Sequence, residues 1–155
     1  MPPNVQVVAE RDLPELLPLI RAYLDFYEVN PSDESMLALS RSLIADPELE
    51  GVQFIARDED GAAIGFASLF WTWATTRGGR LGVMNDLYVA PEGRGTGTAE
   101  ALIEACRARC EERGAVALEW QTAVDNHRAQ AVYDRVGGQK SDRWLDYTLP
   151  ITLQA

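Results

Sequence analysis

The spacing of apolar residues along the chain predicts an alternation of strands and helices. A short β-branched run opens the chain, and two stripes of apolar residues at helical spacing follow it. Three consecutive apolar and aromatic runs, separated by turns that contain glycine, then predict an antiparallel meander. The predicted strands are 5–8, 52–57, 63–73, 81–90, 116–120 and 143–149, and the predicted helices run from Leu13 to Tyr27, Pro31 to Asp46, Ala99 to Gly114 and Asn126 to Gly137.

The resulting order, β-α-α-β-β-β-α-β-α-β, is typical of an α/β domain with a mixed sheet. The sequence contains no linker, internal repeat or low-complexity segment. Its length of 155 residues, with 46% hydrophobic and 25% charged residues, is that of one globular domain with a full core, and it excludes disorder. We therefore expect a single domain over residues 1–155.

The net charge limits the kinds of partner to expect, and the cysteines indicate the cellular compartment. The net charge of −10 is unsuited to nucleic acid or an anionic membrane as a partner, and it favours a cationic acceptor. Cys106 and Cys110 lie four apart in a predicted helix, where they cannot form a disulfide, so they are predicted to be small apolar core residues. The sequence shows neither a secretory signal pattern nor a membrane-spanning run. We expect a cytoplasmic protein without a metal site.

The candidate for chemistry is the segment from Pro91 to Ala99, which joins a predicted strand to a predicted helix. Its three glycines leave backbone N–H groups at a helix N-terminus, where an anion such as a pyrophosphate binds well. A flexible surface turn is the alternative interpretation, but three glycines and an arginine at a strand-to-helix junction favour anion binding. A Walker loop is disfavoured because no Lys-Ser or Lys-Thr pair ends the segment, and a dinucleotide fingerprint is disfavoured because Glu100 stands where a third small residue belongs.

Three residues of this loop, Arg94, Gly97 and Ala99, resemble the acetyl-CoA motif of the GCN5-related N-acetyltransferase (GNAT) family. The flanking segments 85–89 and 126–133 resemble its branch of polyamine and of histone or amino-acid acetyltransferases. The resemblance is specific over residues 81–138. It implies an α/β (α+β) fold with a mixed, mostly antiparallel sheet of six to seven strands, about four helices and splayed central strands.

The resemblance also implies how acetyl-CoA binds. Strands 81–90 and 116–122 would splay to admit the pantetheine arm, and Arg94 would position the loop or the phosphates. Asn126 would bond the arm or its neighbouring loop, although it also suits a helix N-cap. The remaining implied cofactor-binding residues offer backbone groups: Leu87, Val89, Gly95, Thr96, Gly97, Thr98 and Ala99.

Acetylation of an amine needs a proton acceptor for the ammonium group and a proton donor for the departing thiolate. The resemblance implies that Tyr133 is the donor, although its spacing alone fits a core tyrosine. Asn85 stands where polyamine-type relatives carry glutamate, so Asp86 is the candidate acceptor, with Glu119 second; each also fits a structural or surface acid. His127, the only histidine, is interpreted as a surface or capping residue.

Aromatic residues supply the candidates for binding the acceptor amine. Tyr23, Phe26 and Tyr27 on the first predicted helix, with Trp71 and Trp73 near a strand end, suit apolar groups and cations, and Asn85 adds a polar contact. Ordinary core aromatics are an equally good interpretation.

The combined hypothesis is an acetyl-CoA-dependent N-acetyltransferase that acts directly on a primary amine of a small cationic molecule or a protein lysine. The alternatives are a non-catalytic acyl-CoA-binding regulatory module, suggested by Asn85, and a nucleotide-binding domain. By family analogy we expect a homodimer formed through the last strands, with 143–149 as the candidate segment.

Overall fold

The computed structural model describes residues 3–153 and confirms the predicted fold class, a mixed and mostly antiparallel sheet with four α-helices. Short 3-10 turns lie at 10–12, 75–77 and 91–93. The strands are β1 (Asn4–Val7), β2 (Gly51–Arg57), β3 (Ala63–Ala74), β4 (Gly79–Val89) and β5 (Ala117–Glu119), and the helices are α1 (Leu13–Phe26), α2 (Asp33–Ala45), α3 (Thr98–Glu112) and α4 (His127–Arg135). One compact unit extends to Ala123, and a second, which contains α4, begins at Val124.

The strands of the first unit form a sheet in the order β1-β2-β3-β4-β5. The first three pairings are antiparallel, and β5 is parallel to β4. The β4–β5 pairing is short and covers only Leu81–Val83 against Ala117–Glu119. One further bond joins the N–H of Val116 to the carbonyl of Arg80, and beyond it the described residues pair β4 only with β3. The edge of β4 from Met84 to Val89 is called the open edge below.

Helix α1 covers one face of the sheet with the apolar stripe that its sequence predicts. Leu13, Leu16 and Ile20 are buried in one cluster with Ile55 and Phe66 of the sheet. Burial of each large apolar side chain stabilises the fold by about 1.5–3 kcal/mol, so this face anchors the helix. The helix continues through Pro18 without interruption.

Asp12 fixes the start of α1 through contacts outside the helix. Its carboxylate bonds the backbone N–H of Ala9 at 2.9 Å and the guanidinium of Arg57 at 3.0 Å, and it does not cap the amides of α1. Glu15, in the first turn of α1, pairs with the same arginine. The helix entrance is thus tied to β2 through one arginine.

Helix α3 covers the opposite face. Leu102 and Cys106 are fully buried, and both cysteines are free thiols, as predicted. A Cβ at Gly82 would lie 2.3 Å from the Sγ of Cys110, so glycine allows the close approach of α3 to β4. Burial raises the pKa of the Cys110 thiol to about 11, which is typical of a packing thiol and not of a nucleophile.

The predicted closing strand at 143–149 is wrong for the described chain. Five strands form where six to seven were expected, and residues 139–153 contain no strand. Trp144, Leu145, Tyr147 and Leu149 are between 74% and 91% exposed. A strand exists only when a neighbour accepts and donates its backbone hydrogen bonds, and the described residues provide no such neighbour for this segment. No helix among residues 3–153 is long and apolar enough to cross a membrane.

Candidate active site

The open edge of β4 presents backbone groups of two predicted cofactor-binding residues. The N–H of Ala90 donates to the carbonyl of Ile64 on β3 at 2.8 Å. Because hydrogen-bonded and non-hydrogen-bonded pairs alternate in an antiparallel ladder, Leu87 and Val89 direct their N–H and C=O groups away from β3. The carbonyl of Val89 accepts a hydrogen bond from Nε of Arg94 at 3.3 Å. An extended ligand could therefore pair with β4 along this edge.

The loop after β4 forms an open cradle of backbone amides at the start of α3. Gly95 and Gly97 have φ angles of +76° and +82°, and a Cβ at either would meet no atom within 4 Å. No side chain caps the helix at Gly97, and the first backbone bond of the helix joins the N–H of Ala101 to the carbonyl of Gly97. The amides of Thr98 and Ala99 consequently have no acceptor within the helix. These open, oriented amides fit a pyrophosphate.

Two threonines give the loop internal order. The Thr96 hydroxyl donates to the carbonyl of Gly93, and its Oγ1 lies 2.7 Å from Oγ1 of Thr98. Thr98 is 1% exposed, so its hydroxyl is buried beneath the cradle. The side chains of Thr96 and Thr98 therefore support the loop, while their backbone amides remain the groups suited to a ligand.

Asp86 lies where β4 carries a bulge. Ser68 pairs with Asp86 while the next residue, Leu69, pairs with Met84, so Asn85 is the extra residue. Adjacent residues of β3 face opposite sides of the sheet, and the bulge thus turns Asp86 to the α1 face. There Nδ2 of Asn85 donates to its carboxyl group at 3.2 Å, and the hydroxyl groups of Ser68 and Tyr23 favour its charged form. Burial raises the pKa of Asp86 above its usual value, and these three polar groups oppose that rise only in part.

Behind Asp86 lies a buried polar pair that sequence reasoning missed. Nε2 of Gln53 donates to Oγ of Ser68 at 3.0 Å across β2 and β3. Gln53 is 4% exposed and Ser68 is fully buried, yet Oε1 of Gln53 has no hydrogen-bond partner within the described residues. The available signal was a polar residue inside each of two otherwise apolar strands.

An aromatic cluster stands beside Asp86 on the α1 face. The ring of Tyr23 makes edge contacts with Tyr27 at 5.1 Å, Phe66 at 5.6 Å and Tyr88 at 6.3 Å. Burial raises the pKa of the Tyr23 phenol, and the neighbouring Asp86 carboxylate adds to the effect, so the phenol stays protonated. Phe26 packs on Tyr27 and is 69% exposed. The structure therefore brings together Tyr23, Tyr27, Asn85 and Asp86.

The two tryptophans and Glu119 are not part of this cluster. Trp71 lies on the α3 face near Gly82, and its indole N–H donates to the carbonyl of Pro47 at 3.0 Å. Trp73 is 72% exposed near the end of β3, where Arg80 stacks over its ring. Glu119 is exposed and lies 3.7 Å from Arg77, a separation typical of a weak surface pair.

The second compact unit carries the remaining predicted residues on and before α4. The side chain of Asn126 accepts a hydrogen bond from the N–H of Ala129 at 3.1 Å, which makes it the N-cap. Tyr133 is half-buried in α4, and His127 is exposed in the first turn. The N-cap interpretation of Asn126 is thus confirmed, while the roles of Asn126 and Tyr133 toward a ligand stay predictions.

Residues 16–138, which contain the open edge, the cradle and Asp86, match the family model "Acetyltransferase (GNAT) family". The chain belongs to this family, as the sequence resemblance indicates. It is an N-acetyltransferase, and its family uses acetyl-CoA as the acetyl donor.

Individual relatives in sequence and in structure are also described as acetyltransferases. The chain is 32% identical over 143 residues to the D-amino-acid N-acetyltransferase HPA3 of Saccharomyces cerevisiae, covering 91% of this chain and 87% of that protein. A solved structure described as a probable acetyltransferase is 29% identical with a TM-score of 0.82, covering 97% and 99% of the two chains. The aminoglycoside N-acetyltransferase AAC(6')-Iy in complex with CoA shares the fold, with a TM-score of 0.80 at 21% identity and coverage of 96% and 95%.

Proposed function

We propose that this N-acetyltransferase transfers the acetyl group directly to a primary amine of a small cationic molecule, with a protein lysine as the alternative acceptor. The observation that carries the proposal is the position of Asp86. Its carboxyl group faces an aromatic cluster, and Asp86 directly precedes Leu87, whose backbone groups point to the open edge of β4. A partly buried carboxylate beside aromatic rings attracts a cation and can take a proton from it.

We infer that acetyl-CoA binds along β4 and in the loop that follows it. Leu87 and Val89 would offer main-chain bonds to the pantetheine arm. The amides of residues 95–99 would hold the pyrophosphate, because they are oriented, uncapped and unobstructed by side chains. Arg94 already bonds the carbonyl of Val89 and would join the loop to the strand. Asn126 is a further candidate contact.

In the proposed reaction the amine nitrogen forms a bond to the carbonyl carbon of the thioester, and the bond between that carbon and sulfur breaks. Acetyl-CoA supplies the activated acetyl group, and CoA leaves as the thiol. Asp86 would accept the ammonium proton, directly or through water, and its raised pKa makes it a stronger base than an exposed aspartate. Tyr133 would donate the proton to sulfur, as a phenol protonated at neutral pH can. Glu119 stays a second candidate for the base.

Tyr23, Tyr27 and Asn85 are the proposed contacts of the acceptor. The aromatic faces suit the apolar part of an amine, and Asp86 suits its ammonium group. The acceptors in the names of the relatives, D-amino acids and aminoglycosides, all carry amines. The resemblance of segments 85–89 and 126–133 to the polyamine branch adds polyamines to the set. Trp71 faces the other side of the sheet, so it is the weakest of the proposed contacts.

A direct test is an acetyl-CoA assay with a panel of D-amino acids, aminoglycosides, polyamines and lysine peptides. Release of the CoA thiol and the mass of the N-acetyl product are both followed. The proposal predicts matched thiol and product with at least one amine, and a large loss of turnover in Tyr133→Phe without loss of acetyl-CoA binding. Tight binding of acetyl-CoA without turnover of any amine would instead favour the regulatory module.

We further propose that the protein is a homodimer held by its C-terminal segment. In residues 145–153 every second residue is apolar, and these five side chains are 79% to 91% exposed: Leu145, Tyr147, Leu149, Ile151 and Leu153. Such alternation is typical of a strand with one buried face, and Pro150 restricts it to a sheet edge. Contact between two copies would bury this apolar surface on both chains, and both contributions count toward the roughly 1,200 Å² that a stable interface buries.

Light scattering in solution tests the dimer. The wild-type protein is expected at twice the chain mass, and Leu145→Lys with Leu149→Lys is expected to dissociate it. Thr148→Lys, on the other side of the same segment, is the matched control and should stay dimeric. A monomeric wild-type protein at micromolar concentration would contradict the proposal.

A cytoplasmic location is also proposed. Its support is that Cys106 and Cys110 are free, buried thiols, as expected for a protein of a reducing compartment.

A further inference from the structure

Gln53 is an unusual residue for its position. It lies in β2, between Val52 and Phe54, and is 4% exposed. An aliphatic side chain would be buried at this position at a lower free-energy cost. Its Nε2 has a partner, but its Oε1 is buried and without one within the described residues. A buried unpaired acceptor costs free energy, so its presence calls for a compensating role.

The direction of the hydrogen bonds indicates that role. Because the amide of Gln53 donates to Oγ of Ser68, the hydroxyl proton of Ser68 is left to donate elsewhere. The carboxyl group of Asp86 lies opposite Ser68 in the β3–β4 register, on the same face of the sheet, and it is the acceptor toward which that hydroxyl can turn. Rotation of the Gln53 amide would place Oε1 on Ser68 and draw the hydroxyl proton away from Asp86. Oε1 of Gln53 therefore lacks a partner among the described residues because the amide is oriented so that the Ser68 hydroxyl can donate to Asp86.

We propose that Gln53 and Ser68 are positioning residues for Asp86, which hold its carboxyl group as a hydrogen-bond acceptor that faces the amine substrate. The inference rests on the proposed role of Asp86 in the acetyl transfer. A chain from amide to hydroxyl to carboxylate places donors behind the carboxylate, and it stabilises the ionised form against burial. Neither side chain touches the open edge of β4, so both act through Asp86.

No charged side chain of the described residues accounts for the raised pKa of Asp86. Tyr23 contacts it from α1 with Tyr27 behind, and Asn85 contacts it from β4. Tyr23 and Asn85 approach from the aromatic cluster and the exposed bulge, whereas Ser68 approaches from the buried strand. Loss of the Gln53–Ser68 chain therefore leaves Asp86 with only its outer contacts, and its pKa should rise.

The test is a titration of the Asp86 side-chain carboxyl by ¹³C NMR in the full chain, with the signal assigned through Asp86→Asn. Gln53→Leu and Ser68→Ala are each expected to raise the midpoint by about one pH unit, the size of one hydrogen bond to a charged group. Ser68→Thr keeps the hydroxyl and should restore the wild-type midpoint. Ser40→Ala removes another buried serine, in α2, and should leave the midpoint unchanged.

An unchanged midpoint in both Gln53→Leu and Ser68→Ala would overturn the proposal. Circular dichroism of each variant verifies the fold, and Ser68→Ala provides the measurement if Gln53→Leu does not fold. The acid limb of kcat/KM is then compared with the NMR midpoint. If the midpoint moves and the limb does not, Asp86 is not the base; the positioning of Asp86 by Gln53 and Ser68 would still stand.

Discussion

Ser68 lies directly opposite Asp86 in the β3–β4 register, and the two side chains are neighbours on the face of the sheet that α1 covers. The pairing depends on the bulge at Asn85. Without the bulge, Asp86 would share the face of Met84, which pairs with Leu69 on the α3 side. One extra residue in β4 thus moves a carboxylate from the packing face of α3 to the aromatic cluster.

Burial of Asp86 should make the folded protein less stable as the pH rises. Because its folded pKa lies above the usual 3.8, the folded state binds more protons than the unfolded state between these two values, and stability falls across that window. Asp86→Asn cannot ionise. Urea unfolding should therefore show that the variant gains stability relative to wild type between pH 4 and pH 7. A constant difference across that range would contradict a raised pKa.

The contribution of Asp12 to the stability of the fold should change with pH in the opposite direction. Burial disfavours its charge, but the N–H of Ala9 and the guanidinium of Arg57 outweigh that effect and lower its pKa below 3.8. Its contribution is present above pH 3.8 and is lost as the pH falls through the lower folded value. Asp12→Asn should reduce the free energy of unfolding at pH 7 by about 1–3 kcal/mol.

The matched control for Asp12 is Glu15→Gln, because Glu15 bonds the same arginine from an exposed position. Surface pairs contribute about 0–1 kcal/mol, so this variant should be close to wild type in urea unfolding. Equal losses in the two variants would show that the buried hydrogen bond to Ala9 is unimportant.

Gly97→Ala should weaken acetyl-CoA binding. Its φ of +82° costs an alanine about 1 kcal/mol, and relief of that strain would turn the helix amides away from the cradle. Calorimetric titration should show a Kd raised about tenfold, the loss of about one charge-assisted hydrogen bond. Gly61→Ala, at φ +84° in the β2–β3 turn and also in open space, carries the same strain and should bind normally.

Most elements could be predicted from the sequence because their periodicity reflects local burial. The stripe of Leu13, Leu16 and Ile20 and the apolar runs of β2–β4 report directly on which face is inside. The strand predicted at 143–149 is absent from the described structure. Its alternating pattern indicates that one face could be covered, but a strand also needs a neighbour for its backbone hydrogen bonds, which the pattern does not supply.

The candidate site was only partly predictable for a related reason. The glycine loop and Asp86 lie in contiguous motifs, so the sequence can propose them as candidates. Ser68 lies opposite Asp86 through strand register, Gln53 lies next to Ser68 for the same reason, and Trp71 faces the other side of the sheet. These positions depend on tertiary pairing that spacing alone does not encode.

We have proposed that Asp86 takes the proton of the amine. The most direct test of this role is the pH dependence of kcat/KM for the best amine of the panel, compared between wild type and Asp86→Asn, with Asp60→Asn in the exposed β2–β3 turn as the control. We expect an acid limb in wild type and in Asp60→Asn, and in Asp86→Asn a loss of about 10²–10⁴-fold together with loss of that limb. An Asp86→Asn enzyme that retained the wild-type rate and the wild-type acid limb would contradict this role of Asp86.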